Sequence, residues 1–186
     1  MRKFLTVCFV GLLAAQASLA QSKKDADWMR KAFEQARQAV EAQDLGPFGA
    51  VVVRNGQKLG EGQIRVIRGK DPTAHAALQA VRAAVRHSGS ADLKGAVLYS
   101  SSELCPMCLS AVYLANISRV FYGFGLSEGG DFTKNLVYLK QQISIPLEDR
   151  KVREMPVLRE NALDLLEKSR SFLQQDFLLN PGTETD

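Results

Sequence analysis

One short segment limits this chain more than any other. Cys105-Pro106-Met107-Cys108 stands where an apolar run gives way to a helical one. Upstream, Thr73-Ala74-His75-Ala76-Ala77 opens another helix. Two sulfurs and an imidazole are ligand types that zinc prefers, and three protein ligands leave a fourth tetrahedral position for water. That ligand count marks a catalytic rather than a structural site. Both segments fall at helix N-termini, whose free N–H groups favour thiolate over thiol. A dithiol or disulfide is the rival reading of the C-x-x-C spacing, but it leaves the His75 segment unexplained. His87 lies at the far end of its helix and reads as a surface residue rather than a fourth ligand.

The first twenty residues are expected to be a leader and not part of the fold. Arg2 and Lys3 precede an apolar run from Phe4 to Ala15, and Ser18-Leu19-Ala20 offers small residues before a cut at Gln21. The run is too short for a membrane span, which needs about 20 residues. An exported chain, periplasmic or secreted, is therefore expected, with no membrane partner after cleavage. The leader holds two of the 24 basic residues and none of the 20 acidic ones, so the mature chain carries +2. No basic run is interleaved with aromatics, so a nucleic-acid polymer is not the expected partner. Cys8 leaves with the leader, and Cys105 and Cys108 are then the only cysteines.

The remainder reads as one domain, 21–178, followed by a polar tail, 179–186. Asp25 or Asp27 caps a helix to about Gln43, with Trp28, Phe33, Ala36 and Val40 as its apolar stripe. Phe48 to Val53 is a strand, Asn55-Gly56 a type I′ hairpin, and Lys58 to Gln63 the returning strand. Further helices are expected over Ala74–Arg86, Pro106–Ala115, Phe132–Gln142 and Leu158–Gln174, and further strands over Ala96–Ser101 and Arg119–Gly123. Alternation of strand and helix argues for a three-layer α/β domain.

The pattern resembles the zinc deaminases of the cytidine-deaminase fold, whose signature is H-x-E followed by P-C-x-x-C. Pro47-Phe48-Gly49-Ala50, Asp71-Pro72-Thr73-Ala74-His75-Ala76, Cys105-Pro106-Met107-Cys108 and Val120-Phe121-Tyr122-Gly123 are similar to the guanine-deaminase and nucleoside-deaminase branch. The similarity runs from about Asp25 to Phe172. It implies an α/β/α sandwich with a central mixed sheet, and Zn2+ held by His75, Cys105 and Cys108. It also implies a homodimer, and hydrolysis of the exocyclic amine of a nucleobase, nucleoside or related small amino-heterocycle to a carbonyl plus ammonia. Phe48, Ile64, Ala76, Glu103 and Asp131 are the expected ligand contacts, with Asp131 equally placed to cap the helix from Phe132.

The departures from the family pattern are specific. Leu104 stands where the signature has Pro, and Ala77 where the family has the Glu that moves protons between water, ring and leaving amine. Ile64 replaces an Asn that reads the purine edge, Leu114 replaces an aromatic, and no aromatic counterpart follows Phe177. The expectation is a chain that binds zinc and turns over slowly or not at all. Ala77 then marks a trapped enzyme, a ligand-binding pseudoenzyme, or a site in which Glu103 has taken over proton transfer. An exported dithiol protein is the remaining alternative.

Overall fold

The computed structural model describes residues 23–169. The expected leader, the polar tail and the outer bounds of the expected domain lie outside that range. Within it, a helix over 23–41 (α1) leads to the strands Gly49–Arg54 (β1) and Gln57–Gln63 (β2). The helices Val66–Gly69 (α2) and Ala76–Ser88 (α3) follow. Next come the strand Val97–Ser102 (β3), the helix Pro106–Leu114 (α4) and the strand Arg119–Phe124 (β4). The helices Lys134–Ser144 (α5) and Arg159–Ser169 (α6) end the described chain.

The four strands form one sheet in the order β2-β1-β3-β4. β1 pairs antiparallel with both β2 and β3, whereas β3 and β4 run parallel, so the sheet is mixed. The turn between β1 and β2 follows its sequence: Asn55 has φ 52° and Gly56 φ 73°, as a type I′ turn requires.

Side chains alternate across the sheet. Val51, Val53 and Tyr99 face α1, packed with Ala32 and flanked by Trp28 and Met29. Ala50, Val52 and Leu98 face the other way, toward Ala76, Ala80 and Ala84 of α3 and Val112 of α4. The result is three layers, α/β/α. The Tyr99 hydroxyl donates to Asp25 Oδ1 at 2.6 Å and ties α1 to β3.

The α1 stripe differs from the expected one. Ala32, Ala36 and Ala39 are its buried residues, while Phe33 and Val40 are exposed. The cause is the strand beneath. A Cβ on Gly49 would lie 2.2 Å from the Ala36 amide nitrogen and 2.3 Å from the Ala32 carbonyl oxygen. Only small residues on the helix and glycine on the strand permit that approach. α3 repeats the device over β2, where a Cβ on Gly62 would lie 2.5 Å from the Ala76 carbonyl oxygen.

α2 was not visible in the sequence pattern, because a distant carboxylate holds it. Asp44 is buried, and its oxygens accept the amides of Leu45 (2.8 Å), Ile67 (3.0 Å) and Arg68 (3.3 Å) and the Arg68 Nε (3.1 Å). Burial pushes this carboxyl up, but the bonds from Ile67, Leu45 and Arg68 outweigh it and hold it below its ordinary value. α5 begins at Lys134 rather than Phe132, after a single 3-10 turn at Gly130–Phe132. α6 begins at Arg159, and the rest of the expected late helix lies beyond the described residues. Leu163, Leu165 and Leu166 are exposed on it. Among the described residues no helix is long and apolar enough to cross a membrane.

Candidate metal centre

Two crossover connections deliver the ligands. β2 leads through α2 to His75, the residue just before α3, and β3 leads to Cys105, the residue just before α4. Both residues have extended backbones, with ψ 148° and 162°. Pro106 opens α4, where a missing N–H is harmless, and one turn of helix brings Cys108 back beside Cys105.

His75 Nδ1 lies 3.4 Å from Cys105 Sγ and 3.7 Å from Cys108 Sγ, and the three ligand atoms all fall within 4.8 Å of one another. A tetrahedral zinc, with Zn–S about 2.3 Å and Zn–N about 2.0–2.1 Å, sets nitrogen and sulfur about 3.5 Å apart. The observed spacings bracket that value, so the residues fit the ion. Cys105 and Cys108 are buried and free of a disulfide. The Cys105 thiol is held well below the ordinary thiol range, first by a hydrogen bond from the Cys108 thiol and then by His75, against burial. The same bond and burial raise Cys108. The Cys108 amide donates to the Cys105 sulfur, and the Leu78 amide of α3 donates to the Cys108 sulfur. These helix N-terminal amides favour anionic sulfur.

The triad faces a cavity of ≈ 100 Å³. Phe48, Ile64, Ala76, Ala77, Glu103 and Asp131 all line it beside His75, Cys105 and Cys108. His87 and Leu114 do not, and Leu114 is exposed. Phe48 is buried with its ring centroid 6.1 Å from that of Phe124. Ile64 and Ala77 are buried apolar walls.

The two carboxylates at the cavity are both engaged. Glu103 accepts Lys140 Nζ at 2.8 Å and the Leu126 amide at 3.0 Å. Its carboxyl sits below the ordinary range, first because of Lys140 and then because of Leu126. Asp131 pairs with Lys134 at 2.9 Å and is 91 % exposed at its side chain.

Sequence reasoning missed Ser100, Ser102, Asn135 and Leu136, which also line the cavity. Ser100 and Ser102 could have been found from the period of two along β3, and Asn135 from its place one helical turn beyond Asp131.

The fold, the ligand set and the cavity together define a deaminase-type zinc domain. Residues 22–124 match the family model described as the cytidine and deoxycytidylate deaminase zinc-binding region. The chain belongs to that family. It is 37% identical over 125 residues to the guanine deaminase of Bacillus subtilis, covering 67% of this chain and 80% of that one. The crystal structure of Bacillus subtilis guanine deaminase superimposes with a TM-score of 0.74 at 34% identity, over 83% of this chain and 98% of that one. A tRNA-specific adenosine deaminase of Agrobacterium fabrum is 34% identical over 114 residues, 61% of this chain and 74% of that one. A solved structure in complex with 8-azaguanine has a TM-score of 0.53 at 25% identity, over 78% of this chain and 83% of that one.

Proposed function

We propose that this chain is an exported, homodimeric, zinc-holding protein of the deaminase fold. It takes a small amino-heterocycle into the cavity beside His75, Cys105 and Cys108, and hydrolyses its exocyclic amine slowly or not at all. The observation that carries this reading is the composition of the cavity wall. A complete triad faces Ala77, and each carboxylate nearby is held by a lysine.

Zinc bound there supplies an acidified water, whose pKa falls to about 7. The chain's own residues do the rest. Phe48 and Phe132 offer aromatic surface to a planar ring, and Ile64 and Leu136 exclude water from its edge. Asp131 and Asn135 stand where they can accept from or donate to a ring substituent. Ala77 can neither accept nor donate a proton. General acid–base assistance contributes about 10²–10⁴-fold, which is the loss expected at this position. Glu103 is a poor substitute, since Lys140 and Leu126 already occupy its oxygens. The exclusion of nucleic-acid polymers rests on charge, and tRNA deaminases among the relatives make it worth testing.

The test is ammonia release from aminopurines, aminopyrimidines and pterins, measured with the chain as it stands and with Ala77→Glu, alongside zinc content. Activity in the Glu variant alone supports the reading. A zinc-loaded Glu variant that is silent on every ring overturns it.

A further inference from the structure

A second cleft lies away from the metal, across the free edge of β2. We propose that it binds a small phosphate monoester bearing hydroxyl groups, a sugar phosphate or the sugar-phosphate end of a nucleotide. The cleft measures ≈ 350 Å³ and is lined from three elements. Gln35 comes from α1, Gln79 and Arg86 from α3, and Glu61 and Gln63 from β2, with Arg65 just beyond the strand. Its volume falls in the range of about 300–1,000 Å³ common to small-molecule sites.

Three observations select the ligand. First, the charge balance is positive. The Arg65 and Arg86 side chains make no ion pair or hydrogen bond among the described residues, and the cleft's single carboxylate, Glu61, has one oxygen taken by Lys58 at 2.8 Å. Guanidinium forks match the oxygens of a phosphate in two parallel bonds.

Second, Gln63 lines the cleft as a half-buried side chain, and its Nε2 makes no hydrogen bond among the described residues. That amide can donate to a phosphate or hydroxyl oxygen of the ligand.

Third, the Gln35 and Gln79 amides each carry donors and an acceptor, which suits a polyol rather than a bare anion. A nucleic-acid polymer would instead need an extended basic track.

The cleft is separate from the metal cavity, though both use one strand end. Side chains alternate at Gln63, Ile64 and Arg65, so the outer two line the cleft and Ile64 lines the metal cavity. The proposal does not depend on any deaminase activity.

Calorimetric titration of the zinc-loaded chain tests it, with ribose 5-phosphate, inorganic phosphate and ribose as probes. Ribose 5-phosphate is expected to saturate one site, inorganic phosphate to bind at least about tenfold more weakly, and ribose to give no saturable heat. Arg65→Gln and Arg86→Gln should each weaken ribose 5-phosphate about tenfold, with circular dichroism and zinc content unchanged. Gln63→Leu should weaken the sugar phosphate, with circular dichroism and zinc content unchanged. A nucleoside 5′-monophosphate separates the two ligand sources by its affinity relative to ribose 5-phosphate. No saturable binding by either phosphate ester overturns the proposal. So does binding that the arginine substitutions leave intact and Phe48→Ala removes, since that would place the ligand in the metal cavity.

Discussion

Glu103 and Lys140 meet at 2.8 Å across the mouth of the metal cavity, joining the loop after β3 to the middle of α5. The same carboxylate takes the Leu126 amide at the start of the loop that carries Asp131. One acid therefore positions the wall of the cavity that α5 and its approach build.

This arrangement fixes a pH dependence. The Glu103 carboxyl lies below its ordinary 4.5, held there first by Lys140 and then by Leu126. A depressed carboxyl contributes stability above its unfolded value and loses it as pH falls through the folded one. Stability should thus decline from pH about 4.5 downward, and Glu103→Gln should lose about 1 kcal/mol at neutral pH while flattening that decline. Urea unfolding of both proteins across this range measures it.

Removing the metal should cost more. A ligand that binds only the folded chain stabilises by about 4 kcal/mol at a thousandfold excess over its dissociation constant. Chelator treatment, or Cys105→Ser, should lower the melting temperature and abolish stoichiometric zinc, read by thermal denaturation and elemental analysis. Because thiols must lose protons to ligate, zinc uptake should release protons and weaken as pH falls. Calorimetry in buffers of different ionisation enthalpy detects that release.

Ala77→Glu should increase turnover on an accepted ring by at least about 10²-fold. Ala77 is buried, so the new carboxyl should also destabilise the metal-free chain by about 1–3 kcal/mol. Ammonia release and denaturant midpoints separate the two effects. An active variant that is more stable without metal than the parent would contradict the burial argument.

Gly49→Ala is expected to be among the most damaging single-methyl additions, since its Cβ would stand 2.2 Å from the Ala36 amide nitrogen. Backbone cannot yield as a side-chain tip can, and overpacking of this kind costs about 1–3 kcal/mol or more. Chemical denaturation should show it, and Gly56→Ala should differ in origin, being strained by its φ of 73° with open space around it.

The metal site was legible in the sequence because zinc chemistry admits few residue types, and Cys105, Cys108 and His75 sit at helix starts where turn and strand signals are strong. The sheet was legible through Asn55-Gly56 and the apolar runs. The face of α1 was not. Hydrophobicity pointed to Phe33 and Val40, but the glycine beneath the helix rewards small size, and the alanines won. α2 escaped because Asp44, more than twenty residues away, supplies its bonds. The second cleft escaped because glutamine carries no periodic signal, and only the fold brings Gln35, Gln63 and Gln79 together.

The two halves of the metal cavity differ in how freely they can vary. On one side, α3 lies against β2 at backbone contact over Gly62, and neither element can shift without collision. On the other, Phe132, Asn135 and Leu136 come from α5 and its approach, where Thr133 at the N-cap is fully buried but no residue of the helix itself is. Substitutions that admit a new ligand would therefore be tolerated on α5 more readily than on the ligand-bearing side. Such a cavity could exchange one guest for another without disturbing His75, Cys105 and Cys108.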